Sequence, residues 1–213
     1  YNLKDVFDGY KSLEEIILTG PCGIKIIPSG SGISSLSSMT AVQKQILLEQ
    51  FEKIQEGLDL IIIDTGAGVG PNVTHFNSFS EFRFLITTPE PHSITDAYAT
   101  IKVLSQKGLK KNIFLIVNMV RSEREGQEVS QRLMQTCKDF LDLEVEFVGS
   151  VPFDKEVSRY VLSTNAGSEN NIKTLSGQAW SRISRSIMMN FSDHLISRKT
   201  SPSWVKLVMG EPR

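Results

Sequence analysis

The sequence predicts an α/β protein with a mostly parallel, doubly wound sheet flanked by helices. Apolar runs of strand length alternate along the chain with longer segments of helical periodicity. One run, Leu58–Ile63, has five apolar residues in six, which suits a strand buried on both faces. Asp64 follows it and precedes a glycine-rich turn, which is where open α/β sheets bind ligands. The alternative is a buried strand followed by a solvated turn with no ligand.

The first predicted elements are short helices within 2–19. Gly20 and Pro21, which follow them, end the helical spacing. A short strand over 23–28 follows. The Gly/Ser-rich segment 29–38 is predicted to be a plain connection, because it lacks the lysine and the Gly-Lys-Ser/Thr ending of a Walker A motif. Apolar residues at helical spacing predict a helix over 40–54 with one apolar face. The predicted strand over 58–63, the central strand of the sheet, follows this helix.

The second half continues the alternation of strand and helix. Apolar runs predict strands, and helical spacing or capping residues predict the helices between them. The predicted strands are 81–87, 112–118 and 145–151. The predicted helices are 73–79, 125–141, 154–162 and 172–196. A further helix, capped by Ser93 or Asp96, is predicted between the first two strands. Because parallel strands share one carboxyl edge, segments 64–70, 87–91, 118–121 and 151–154 are expected to meet there.

Composition limits the classes of function. The formal net charge of −1 provides no broad basic field, so no nucleic-acid partner is predicted. Cys22 and Cys137 form no Cys-x-x-Cys pair, which disfavours a zinc site or an iron–sulfur cluster and suits a cytoplasmic protein. No apolar run reaches the roughly twenty residues that span a bilayer.

We expect one domain over 1–197 and a tail over 198–213. The tail carries Trp204 and several aliphatic residues, so it is a candidate for peripheral contact with a membrane or a partner. Packing on its own domain, or disorder, is the alternative for this tail.

Four sequence segments together resemble the MinD/ParA-type deviant-Walker P-loop ATPases. They are IIIDTGAG at 61–68, TTPEP followed by SITDAYA within 87–99, IVN at 116–118 and VPFD at 151–154. The central turn and the segment 87–99 are most similar to the flagellar-number regulators of this family, the FlhG/FleN/YlxH branch. The resemblance covers nearly the whole chain to about Ile196.

The resemblance implies ATP and Mg²⁺ as cofactors and assigns roles by position. Asp64 matches the catalytic switch aspartate that holds Mg²⁺, commonly through water. The matching γ-phosphate-sensing turn comprises Thr65, Gly66, Ala67 and Gly68. Asn118 matches the asparagine that hydrogen-bonds the adenine edge, and the loop flanking the base comprises Pro152, Phe153 and Asp154. For Asn118 a capping amide is the alternative, and for Asp154 it is a helix N-cap.

The chain departs from the family pattern at its start. The first strand, the P-loop with its lysines and the second strand have no counterpart in the 213 residues. Those groups neutralise the triphosphate charge and supply a metal ligand. We expect that the sequence is truncated before Tyr1, and the alternative is a natural variant that lacks the loop. In either case this polypeptide alone is expected to bind ATP poorly and to hydrolyse none.

The implied function is a nucleotide switch that forms an ATP-dependent homodimer. For the flagellar branch the resemblance implies a signal-recognition-type GTPase that places flagella, or a transcriptional activator, as partner. Its expected location is the cytoplasm, with peripheral contact on the inner face of the cell membrane. The alternative is a non-catalytic protein-binding module with a vestigial nucleotide pocket.

Overall fold

The computed structural model describes residues 1–29, 40–54, 58–157 and 173–196. These residues fall into two compact units, which are described separately. The first unit lies within Tyr1–Ser80 and the second begins at Glu81. Most of 29–38, the end of the predicted helix 154–162 and the tail 198–213 lie outside the described residues. No described helix has the length and apolarity to cross a membrane.

The first unit consists of short elements around a small apolar core. In chain order they are α1 (Leu3–Phe7), α2 (Leu13–Ile16), β1 (Leu18–Thr19), a 3₁₀ turn (Pro21–Gly23), β2 (Lys25–Ile26), α3 (Ala41–Ile54) and α4 (Pro71–Phe79). Capping boxes start α1 and α2 at Asn2 and Ser12, which satisfies amide groups at the helix ends. The core contains Leu3, Val6, Leu13, Ile16, Leu47 and Ile54.

Two strand predictions in the first unit need correction. The strand over 23–28 shortens to β2, which pairs antiparallel with β1. The central strand over 58–63 is not formed: the segment has no strand assignment, and Leu60, Ile61 and Ile62 are exposed, Ile62 by 84%. A strand is stabilised by neighbouring strands and by burial of its faces. The described residues pair no strand with this segment.

The second unit confirms the α/β class, with a parallel sheet in the order β3–β4–β5. Its elements are β3 (Arg83–Thr87), α5 (Pro91–Gln106), β4 (Ile113–Val120), α6 (Glu123–Leu141), β5 (Glu146–Pro152) and α7 (Leu175–Ile196). Apart from α5, for which only candidate caps were predicted, all are within three residues of the predicted bounds. The helix predicted from Ser93 starts earlier because proline, with no N–H to satisfy, is favoured at the first helical position.

Helices cover the two faces of the central strand β4. Leu115 and Val117 are completely buried against α5 and α6. Ile116, which points to the opposite face, packs with Ala179 and Ile183 of α7. Alternate residues of a strand point to opposite faces, so this burial explains the unbroken apolar run Ile113–Val117 of β4.

Helix α6 approaches β5 closely at Gly126. A Cβ built on Gly126 would lie 2.6 Å from Ser150 Cβ and 2.9 Å from Ser150 Oγ. Real Cβ atoms do not tolerate such contacts, so glycine allows the first turn of α6 to lie against the strand.

We predict that Gly126→Ala lowers the free energy of unfolding by about 1–3 kcal/mol through overpacking. The double variant Gly126→Ala/Ser150→Gly should recover most of this loss, because it removes the two atoms that the new methyl group meets. Urea unfolding of both single variants and the double variant measures the coupling. Strictly additive effects of the two substitutions would contradict the close-packing explanation.

Candidate functional site

The carboxyl ends of the three parallel strands place candidate site residues on one edge of the second unit. Thr87 of β3 pairs with Val117 of β4, which pairs with Ser150 of β5. Val117 and Ser150 therefore lie at the same level of the sheet. Asn118 directly follows Val117, and Pro152 lies two residues after Ser150. The structure brings together the predicted residues Asn118, Pro152, Phe153 and Asp154. We call this edge the rim.

A β-bulge ends β4 at the rim. Between the pairs Val117–Ser150 and Val120–Pro152, β4 contains Asn118 and Met119, whereas β5 contains a single residue. Met119 has a φ of 60°, a left-handed conformation that is uncommon for a residue with a long side chain. Bulges next to functional sites redirect side chains, and strained residues cluster there.

The side chain of Asn118 is held by the bulge. Its Oδ1 accepts a hydrogen bond of 2.9 Å from the backbone N–H of Met119. Within the described ranges its Nδ2 group has no protein partner, and the residue is half-buried. The capping alternative for Asn118 is thus realised, and its amide donors are still available to a ligand.

Phe153 gives the rim an exposed aromatic surface on a fixed backbone. Its N–H donates to the carbonyl of Val120 at 2.9 Å, which continues the pairing of β4 and β5 past Pro152. The side chains of Phe153 and Met119 are 51% and 53% exposed. An exposed aromatic ring on an anchored loop can stack against a planar ligand.

Asp154 links the rim to the start of α7. Its Oδ2 accepts from the backbone N–H and the hydroxyl of Ser176 at 3.1 and 3.0 Å, and its Oδ1 accepts from Glu156 N–H at 3.0 Å. The backbone hydrogen bond from Ser176 is the main reason that the pKa of Asp154 lies below its usual range. This geometry supports the helix-capping alternative for Asp154.

The third part of the rim is the turn between β3 and α5. Ser93 Oγ accepts from Thr88 N–H at 2.9 Å and lies 2.9 Å from Thr87 Oγ1. Thr88 Oγ1 is buried, with no hydrogen-bond partner in the described part of the chain. Thus Ser93, predicted as a helix cap, instead holds the preceding turn.

A cavity of about 320 Å³ lies beside the rim, along β5 and between the start of α6 and α7. Its polar lining includes Ser122, Ser150 and Arg182, and its apolar lining includes Ile183. Of the predicted rim residues Pro152 lines this cavity, whereas Asn118 and Phe153 do not.

The predicted metal residue, Asp64, belongs to the first unit. It is exposed, and the turn after it bends at Ala67–Val69, with Gly68 at a φ of 92°. No group of three His, Cys, Asp or Glu side chains that could hold a metal occurs among the described residues. Mg²⁺ retains several waters and commonly takes one or two protein carboxylates. Asp64 fits such a water-mediated contact but does not form a metal site by itself.

Sequence reasoning identified Asn118 and the loop 152–154 but missed Met119. The missed feature is a backbone conformation, and methionine in an apolar run gives no signal of a positive φ. The run IVN ends in a polar residue, Asn118, and this is a sequence signal that the regular strand pairing changes at that position.

Comparisons with known proteins identify relatives of the chain, although no protein-family model matches it. It is 34% identical over 164 residues to the antiactivator FleN of Pseudomonas aeruginosa, covering 77% of this chain and 59% of FleN. It is 35% identical over 164 residues to the flagellum site-determining protein YlxH of Helicobacter pylori, covering 75% and 54%. A putative septum site-determining protein MinD of Oltmannsiellopsis viridis is 28% identical over 205 residues, covering 94% and 61%.

The chain belongs to the MinD/ParA-type ATPase family. FleN and YlxH support the flagellar branch of this family, as the turn at 64–68 and the segment 87–99 predict. The chain spans less than two thirds of the length of these relatives.

In this MinD/ParA-type chain, we predict that Met119→Gly raises the free energy of unfolding by about 1 kcal/mol, because glycine adopts a positive φ without steric cost. Met119→Ala keeps the Cβ atom and is the matched control, with no such gain expected. Chemical denaturation measures both variants. Equal effects of glycine and alanine would exclude backbone strain at Met119.

We also predict that Asp154→Ala lowers the free energy of unfolding by about 1 kcal/mol at neutral pH, the usual cost of losing a helix cap. Because the pKa is lowered in the folded state, the carboxylate stabilises the fold above its unfolded pKa of about 3.9. That contribution is lost as pH falls through the folded pKa. Unfolding measured between pH 7 and pH 2 should show the two proteins converging in acid, whereas a constant difference would contradict the prediction.

Proposed function

We propose that this protein is an ATP-dependent switch ATPase of the MinD-like group that regulates flagellar number or placement. The observation that carries the proposal is the rim, where Asn118, Phe153 and the loop to Asp154 lie at neighbouring strand ends in a chain similar to FleN and YlxH. In this proposal the rim binds the nucleotide base.

The base end of the site is supported by complementary chemistry. Phe153 supplies a stacking face, and Pro152 supplies a rigid apolar wall beside it. Asn118 supplies an in-plane polar group through its amide. Asp154 holds the loop in place by its bonds to Ser176, and so acts on the base through positioning.

By resemblance to the family, we propose that Asp64 and the turn Thr65–Gly68 serve the phosphates. Asp64 would hold a water of the Mg²⁺ shell, and the turn would let backbone amides approach the γ-phosphate. Mg²⁺, when bound, would neutralise charge on the phosphates. The 213 residues contain no Gly-Lys-Ser/Thr phosphate-binding motif.

The proposed output is a dimer that exists while ATP is bound and separates after hydrolysis. A switch of this kind requires that ATP and ADP differ in their affinity for the dimeric and the monomeric state. The proposed partners are a GTPase that places flagella or a transcriptional activator, and the proposed location is the cytoplasm with peripheral membrane contact.

A non-catalytic binding module is the second candidate, and one observation favours it. The Asp64 segment follows the exposed run Leu60–Ile62, and none of the described strands pairs with that run. A protein that binds no phosphates would act through its helical surfaces instead. Calorimetry with ATP and Mg²⁺ on the full-length protein separates the candidates, because a binding module gives no heat of nucleotide binding.

We predict that the full-length protein elutes as a dimer with ATP and as a monomer with ADP in size-exclusion chromatography. Asp64→Ala should abolish hydrolysis, because the switch carboxylate is lost. Asp59→Ala is the matched control: it removes an exposed carboxylate from the same segment and should retain activity. The same oligomeric state with both nucleotides, or equal activity in the two variants, would count against the proposal. The 213-residue chain without a phosphate-binding loop should show no hydrolysis.

A further inference from the structure

The cavity beside the rim brings two opposite charges to one partly apolar space. Arg182 of α7 and Glu123 of α6 both line it, and apolar side chains, among them Val148 and Ile183, form part of its wall. We propose that this cavity binds a small zwitterion, an α-amino acid with an aliphatic side chain. In this site Arg182 binds the carboxylate and Glu123 binds the ammonium group.

The charges of Arg182 and Glu123 do not neutralise each other. Within the described part of the chain, neither side chain forms an ion pair or a hydrogen bond with another residue. A separated cation and anion on one cavity complement a ligand that carries both charges, because such a ligand satisfies both groups at once. A simple organic anion would instead meet the repulsion of Glu123.

Close packing at two glycines fixes the helices that carry these charges. Gly126 allows the first turn of α6 to lie against Ser150 of β5. On α7, the contact is with Gly149 of β5, where an added Cβ would lie 2.9 Å from Ile183 Cγ1. Each helix is therefore positioned by a tight contact with the same strand. The cavity between them is formed before any ligand binds, as most small-molecule sites are.

The volume and lining of the cavity favour a small amphipathic ligand. Its volume of about 320 Å³ is at the lower end of the range for small-molecule sites, roughly 300–1,000 Å³. Ser150 and Ser186 contribute hydroxyl groups, which can donate to a carboxylate beside the guanidinium of Arg182. Ala179 and Ile183 offer apolar surface to a hydrocarbon side chain. These are the separate groups that an aliphatic amino acid requires.

Binding measurements on the full-length protein without nucleotide test the proposal. The probes are L-leucine, 4-methylpentanoate, which is leucine without its amino group, and 3-methylbutylamine, which is leucine without its carboxylate. L-leucine should bind at least about tenfold more tightly than either analogue, because each analogue loses one charge-assisted contact. Calorimetry measures the affinity for L-leucine, and ligand-observed NMR measures the weaker analogues.

Two variants that each remove one charge assign the roles. Arg182→Gln should weaken L-leucine binding about tenfold and leave 3-methylbutylamine binding unchanged, since that probe has no carboxylate. Glu123→Gln should weaken L-leucine binding similarly and should not weaken binding of 4-methylpentanoate. Arg185→Gln is the matched control, because it removes an exposed arginine of α7 that does not line the cavity. Its affinity for every probe should equal that of the wild type.

Thermal midpoints are measured beside the affinities, because Glu123 also lies in the first turn of α6, where negative charge stabilises a helix. A purely structural role would lower the midpoint and leave the preference for L-leucine over its analogues intact, which would overturn the proposal. It is also overturned if the wild type binds no L-leucine, if 4-methylpentanoate binds equally well, or if Arg185→Gln has the same effect as Arg182→Gln. None of these measurements uses ATP, so their failure leaves the proposed function standing.

Discussion

Burial of β4 on both faces is the constraint on which the second unit depends. Leu115 and Val117 pack against α5 and α6, while Ile116 packs against α7. A strand enclosed in this way can only pair in the plane of the sheet, with β3 on one side and β5 on the other. The parallel pairing then places three strand ends, and the side chains that follow them, along one rim.

Much of this arrangement follows from the sequence, because the relevant signals are local. Long apolar runs and helical spacing predicted β3 to β5 and their helices, and the parallel order then placed Asn118 beside the loop 152–154. The prediction over 58–63 was wrong for a physical reason. An apolar pattern reports the environment that suits a segment, whereas strand formation requires a neighbour to pair with. The conformation of Met119 could not be predicted, since it accompanies a local register shift between β4 and β5 after Val117.

In the proposed function, the same residues of the rim serve both recognition and structural stability. Asn118 satisfies a backbone group of the bulge and still has donors available, and Asp154 caps α7 while it anchors the loop that carries Phe153. Substitutions at such positions change folding and binding together. Variants that keep one of the two interactions, such as aspartate for Asn118, are therefore more informative than alanine alone.

The run Leu60–Ile63, in which Leu60, Ile61 and Ile62 are exposed, also has a consequence for handling the protein. Four consecutive large aliphatic residues, with no proline and no charge, match the composition of segments that stack between molecules into cross-β assemblies. Newly made chains displaying this run would be candidates for holding by chaperones and for deposition in inclusion bodies. The solubility of the expressed protein should therefore indicate whether the side chains of Leu60–Ile63 are buried.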